Sequence, residues 1–137
     1  MKTFLDFLPI NFRHEKSFLI QNELLDIDKL CSLTDLEINQ IQQKSVLCTA
    51  NNLKKIRAIA IFKKEIAISP PEAYLLLHCG VSSVKSLTRF TPYELEKKIR
   101  RLERSLRAKT VTKITFAVLK EWIKRANQVS KPEIDLG

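Results

Sequence analysis

Residues 66–95 read IAISPPEAYLLLHCGVSSVKSLTRFTPYEL. Their local signals alternate between helix starts and helix stops. Ser69-Pro70-Pro71-Glu72 is a helix start, with a hydroxyl to take an orphan amide, prolines where a missing N–H does no harm, and a glutamate that reaches back. Ala73, Leu76 and Leu77 follow at helical spacing, and Gly80 supplies the stop. Thr91-Pro92-Tyr93-Glu94 repeats the start signal. The stretch therefore predicts a short hairpin, a helix, a glycine-led turn and a second helix.

The same logic extends in both directions. Thr34-Asp35-Leu36-Glu37 is a third start signal, and each cap is worth roughly 1 kcal/mol in fixing where a helix begins. Helices are predicted at 13–22, 26–31, 35–44, 51–63, 70–78, 83–88, 92–108 and 112–127. The helix from Pro92 carries Leu95, Ile99, Leu102 and Leu106 on one face, and the last helix buries Val118, Leu119, Trp122, Ile123 and Ala126. Only Gly80 and Gly137 are glycine among 137 residues. A β protein with many tight turns needs more, so the expected class is all-α.

An internal repeat with an offset of 57 aligns Glu15–Ile38 with Glu72–Leu95. The identical pairs are Glu15/Glu72, Leu19/Leu76, Leu30/Leu87, Thr34/Thr91 and Glu37/Glu94. Apolar matches such as Leu24/Val81, Ile27/Val84 and Ile38/Leu95 recur at helical spacing, as a shared buried face requires. The expected organisation is a degenerate first unit over 1–48, a connecting helix, second unit and closing helix over 49–128, and a flexible tail over 129–137.

Composition narrows the function. The 45% hydrophobic content suits a globular chain. Asp6 and Pro9 interrupt the apolar start, which spoils a signal peptide, and no apolar run approaches the ~18 residues of a membrane span. Cys31, Cys48 and Cys79 form no C-x-x-C pair, and reduced thiols in the cytoplasm are the default expectation. The net charge of +9 is unevenly placed: residues 1–48 sum to −2 and residues 49–137 to +11. Such asymmetry points to an anionic partner for the second part, nucleic acid or an acidic protein face, against the plain alternative of a well-solvated basic surface.

The hairpin-and-two-helices layout is that of a helix-hairpin-helix unit, a module mostly used to grip nucleic-acid backbones. Such hairpins usually carry two glycines, and here the positions read Ala67 and Ser69. Pro70 and Pro71 delete two of the amides that would hold a phosphate, Ser69 is placed as the cap, and Glu72 adds a negative charge. The hairpin is thus expected to be structural, and anion binding is moved to the basic helices. From Leu53 to about Asn127 the chain resembles the family called domain of unknown function 4332. The resemblance rests on Ala73-Tyr74-Leu75-Leu76, Gly80-Val81, Val84-Lys85-Ser86-Leu87, Pro92-Tyr93-Glu94-Leu95 and Trp122-Ile123-Lys124-Arg125-Ala126. It implies helix-hairpin-helix-like units and carries no activity with it.

The candidate binding residues are Lys54, Lys55, Arg57, Lys63, Lys64, Lys97, Lys98, Arg100, Arg101, Arg104, Arg107, Lys109, Lys120, Lys124 and Arg125. Together they would give salt-dependent, sequence-independent contact with a nucleic-acid backbone. Tyr74, Tyr93 and Trp122 are expected in or near the core, so base stacking is not expected. An enzyme, a cofactor and a metal are not expected either: His78-Cys79 has no further ligands near it, His14 has no nucleophile beside it, and there is no glycine-rich phosphate loop. The alternative function is a protein-interaction adaptor that uses an acidic first unit and a basic second one.

Overall fold

Helix caps set the architecture. A computed structural model describes residues 4–106 and 114–130. Two short 3-10 turns, Phe4–Phe7 and Ile10–Phe12, lead into α1 (Arg13–Gln21), α2 (Ile27–Cys31), α3 (Asp35–Lys44) and α4 (Ala50–Ile66). Then come α5 (Pro70–His78), α6 (Val84–Leu87), α7 (Pro92–Leu106) and α8 (Phe116–Ser130). There is no strand among the described residues, and the fold is all-α. The chain divides into two compact units, Met1–Tyr74 and Leu75–Gly137.

The predicted start signals are in place. Thr34 Oγ1 accepts from the Glu37 amide at 3.1 Å, while Glu37 Oε1 accepts from the Thr34 amide at 3.0 Å. Thr91 and Glu94 make the same reciprocal pair, both bonds at 3.1 Å. At Ser69 the hydroxyl instead donates to Glu72 Oε1 at 2.6 Å. A further capping box, Ser83 with Ser86, starts α6. The last helix departs from expectation. It begins at Phe116 rather than 112, because the Thr115 hydroxyl accepts from the Val118 amide at 3.3 Å, and it continues to Ser130.

In the first unit α4 packs against α2 and α3. It buries Leu53, Ile56, Ile59, Ala60, Phe62 and Ile66, which recur at spacings of three and four. Leu19, Leu30, Ile38 and Phe12 are also buried, and each such side chain contributes roughly 1.5–3 kcal/mol. In the second unit α8 packs against α6 and α7. There Leu119, Trp122, Ile123 and Ala126 are buried, as are Leu87, Leu95 and Ile99.

Three pairs of helix starts keep the offset of the sequence repeat. Helices α1/α5, α2/α6 and α3/α7 start 57 positions apart. Leu24 donates its amide to the Leu19 carbonyl at 2.8 Å, and Val81 donates to Leu76 at 2.9 Å, so both first helices close in the same way. The fourth helices, α4 and α8, start 66 apart, and each packs on the second and third helices of its own set. Helix α4 is therefore the fourth member of the first set as well as its exit.

Candidate nucleic-acid interface

Charge is concentrated in the second unit. Residues 75–137 hold 14 basic and six acidic side chains, whereas residues 1–74 hold ten and nine. The main carrier is α7. Its cap and Pro92 fix the start, and its Leu95 and Ile99 are buried, which turns the opposite side outward. Lys97, Lys98, Arg101 and Arg104 are exposed there. Among the described residues, no ion pair engages any of these four. Lys98 lies over the Phe90 ring at 5.7 Å. On α8, Lys120 and Lys124 are exposed and one turn apart.

A hollow of about 420 Å³ lies along the first three turns of α7. It is lined by Tyr93, Glu94, Glu96, Lys97, Arg100 and Arg104. Tyr93, Lys97, Arg100 and Arg104 follow one another at spacings of four, three and four, which is one stripe of a helix. Glu94 is committed to the cap, and the hydrogen bonds from the Thr91 amide and hydroxyl hold its carboxyl below the ordinary value. Tyr93 is not a core residue, contrary to expectation. It is 73% exposed, and its ring packs against Phe116 with centroids 4.8 Å apart.

Four of the candidate cations pair with acids or tie elements together, and Arg104 Nε donates to the Arg100 carbonyl one turn back on α7 at 3.3 Å. Arg57 donates to the Leu33 carbonyl at 2.9 Å and pairs with Asp35 at 2.9 Å, tying the α2–α3 loop to α4. Arg100 donates to Glu103 at 2.7 Å and to the Ile114 carbonyl at 2.7 Å, which anchors the approach to α8. Lys64 pairs with Asp28 at 2.7 Å, and that hydrogen bond raises its pKa. Arg125 pairs with Glu121 at 3.2 Å, one turn away on α8. On α4, Lys54 is exposed and Lys55 half-buried. Lys63 lines a separate, mainly apolar hollow of about 450 Å³ with Phe4, Phe7, Leu25, Asp26, Ile27, Ser69 and Pro70. Arg107 and Lys109 lie outside the described residues.

The hairpin between α4 and α5 is closed on itself. Ala67 ends α4 in the left-handed region at φ 56°, and its amide donates to the Lys63 carbonyl. The Ser69 carbonyl accepts from Ala73 at 2.8 Å, and Pro70 and Pro71 offer no N–H. Of the amides in the first turn of α5, the prolines remove two that an anion would use.

One functional-looking residue escaped the sequence reading. Glu15 is 1% exposed, and its carboxylate accepts from the Thr49 amide at 3.0 Å and from Asn52 Nδ2 at 3.4 Å. It thereby satisfies the start of α4 from α1, where the helix dipole favours a negative charge. Its identity with Glu72 across the repeat was the available signal. Among the described residues no three His, Cys, Asp or Glu side chains come together as a metal site. Burial raises the pKa of the Cys31 and Cys79 thiols, which works against a reactive thiolate. No helix among the described residues is long and apolar enough to cross a membrane.

The family described as "Domain of unknown function (DUF4332)" matches residues 10–129. No curated protein and no solved structure gives a significant match.

Proposed function

The chain belongs to the DUF4332 family, and on that premise we propose that it is a small non-enzymatic binding module that engages nucleic-acid backbone through the basic surface of its second unit. The observation that carries this reading is the outer side of α7, where Lys97, Lys98, Arg101 and Arg104 are exposed and unpaired with acids among the described residues. Arrayed cations on one helix neutralise successive phosphates and release counterions without reading sequence. The helix-hairpin-helix reading of the layout supports a nucleic-acid partner, and the closed α5 start favours α7 and α8 over the hairpin as the contact. Lys120 and Lys124 extend the cationic surface. Arg57, Lys64, Arg100 and Arg125 contribute long-range field and are otherwise occupied.

Fluorescence anisotropy with a short labelled nucleic acid tests the reading. Binding at ~50 mM salt that weakens steeply as salt rises is expected. No binding at that salt, or binding that ignores salt, overturns it.

A second reading, a protein-interaction adaptor, is favoured by the first unit. Leu36, Val46 and Leu47 are 68%, 99% and 62% exposed there, apolar side chains that a protein partner would cover. Nuclease treatment during an affinity capture separates the two readings: a partner lost with the nucleic acid supports the first, and a protein retained without it supports the second.

A further inference from the structure

Tyr93 stands out within the basic surface. It is the second residue of α7, and 73% of it is exposed. Its ring is nevertheless held, packed against Phe116 with centroids 4.8 Å apart and planes at 48°. A ring packed against a neighbour has less rotamer freedom to lose on binding, and its exposed part is open to a flat partner. The hollow it lines also holds Lys97 and Arg104, one and three turns further along the same stripe. A duplex presents phosphates to such a surface but keeps its bases stacked inside. A single strand presents both.

We propose that this hollow takes an unstacked base of a single-stranded nucleic acid on the Tyr93 ring, with Lys97 and Arg104 contacting the flanking phosphates. The inference rests on the proposed function and deepens it. The two carboxylates that line the hollow have different roles. Glu94 is held by the Thr91 cap. Glu96 is half-buried in the hollow and accepts hydrogen bonds only, which suits the amino groups of cytosine, adenine or guanine and disfavours a phosphate beside it. Arg100 remains with Glu103 and the Ile114 carbonyl. DNA and RNA share the chemistry, so both serve as probes.

The test is anisotropy with three labelled strands of about 12 nucleotides, one DNA, one RNA and one abasic DNA with the same phosphates and no bases. The full chain is expected to bind the base-bearing strands about tenfold more tightly than the abasic strand. Tyr93→Ala is expected to abolish that preference while binding the abasic strand as before, and Tyr93→Phe is expected to keep it. A protein unfolded by Tyr93→Ala would lose the abasic strand as well, so the ratio separates stacking from misfolding; Tyr93→Leu, which keeps an apolar side chain beside Phe116 but has no ring to stack, then carries the test and is expected to lose the preference. Equal binding of abasic and base-bearing strands, or a preference that survives Tyr93→Ala, overturns this inference and leaves the proposed function standing. No binding to any strand overturns this inference, and no binding to a duplex of the same length at ~50 mM salt overturns the proposed function as well.

Discussion

Glu23 and Gly80 occupy the same place in two copies of one helix closure, 57 positions apart, and both are left-handed, with φ of 58° and 87°. Each follows the first helix of its set and precedes the residue whose amide returns to the buried leucine, Leu24 to Leu19 and Val81 to Leu76. Glycine adopts this conformation without steric cost, whereas a residue with a Cβ loses about 1 kcal/mol or more. Glu23→Gly is therefore expected to stabilise the protein by about 0.5–1 kcal/mol, and Gly80→Ala to destabilise it by about 1 kcal/mol. A Cβ at Gly80 would meet nothing within 4 Å, so that loss isolates backbone strain from crowding. Urea midpoints check both values.

Ala67 is a third left-handed residue, at φ 56°, a conformation that glycine adopts without steric cost. Ala67→Gly is expected to raise stability by about 0.5–1 kcal/mol. It is expected to add no anion binding, because Pro70 and Pro71 still lack amides. Thermal melts in the presence and absence of phosphate check this: a phosphate-dependent rise in Tm would reopen the hairpin as a site.

The basic residues fall into two experimental classes. Arg100→Met and Arg57→Met each break a charged hydrogen bond to a backbone carbonyl, at Ile114 and Leu33, and are expected to cost about 1–2 kcal/mol, reduced from a buried value by their partial exposure. Lys97→Met and Arg101→Met, with exposed side chains, are expected to stay within about 0.5 kcal/mol. Denaturation curves of the four variants check the split before any binding is measured.

These two classes also mark what the sequence can and cannot tell. Helix starts were legible because a cap is local: Thr34 with Glu37 and Thr91 with Glu94 are three residues apart and signal themselves. The repeat was legible for the same reason, since buried positions keep helical spacing. The ties of Arg57 and Arg100 were not, because their partners are carbonyls 24 and 14 positions away, and every residue has a carbonyl. Tyr93 is expected in or near the core, and it is 73% exposed. Its ring meets Phe116 on α8, 23 positions away, and no local pattern encodes that contact. Glu15 was visible as a repeat identity, but its role depends on α4 starting beside α1.

The α7 cap has a pH signature. Hydrogen bonds from Thr91 lower the pKa of Glu94, so the folded protein binds that proton less readily than the unfolded chain. The contribution is complete above the ordinary carboxylate pKa and is lost as pH falls through the lowered folded value. Glu94→Gln is expected to destabilise the protein at pH 7 and to narrow the gap from wild type in more acidic solution. Denaturation of both proteins from pH 7 down to about pH 3 checks the sign.

The salt dependence of nucleic-acid binding, compared between the wild type and Lys97→Ala/Arg101→Ala/Arg104→Ala, tests the central claim most directly. If these side chains contact phosphates, the plot of log affinity against log salt loses about three units of slope in the variant, roughly one per cation removed, while its stability is unchanged. An identical slope and affinity in the two proteins would contradict the assignment of the interface to α7.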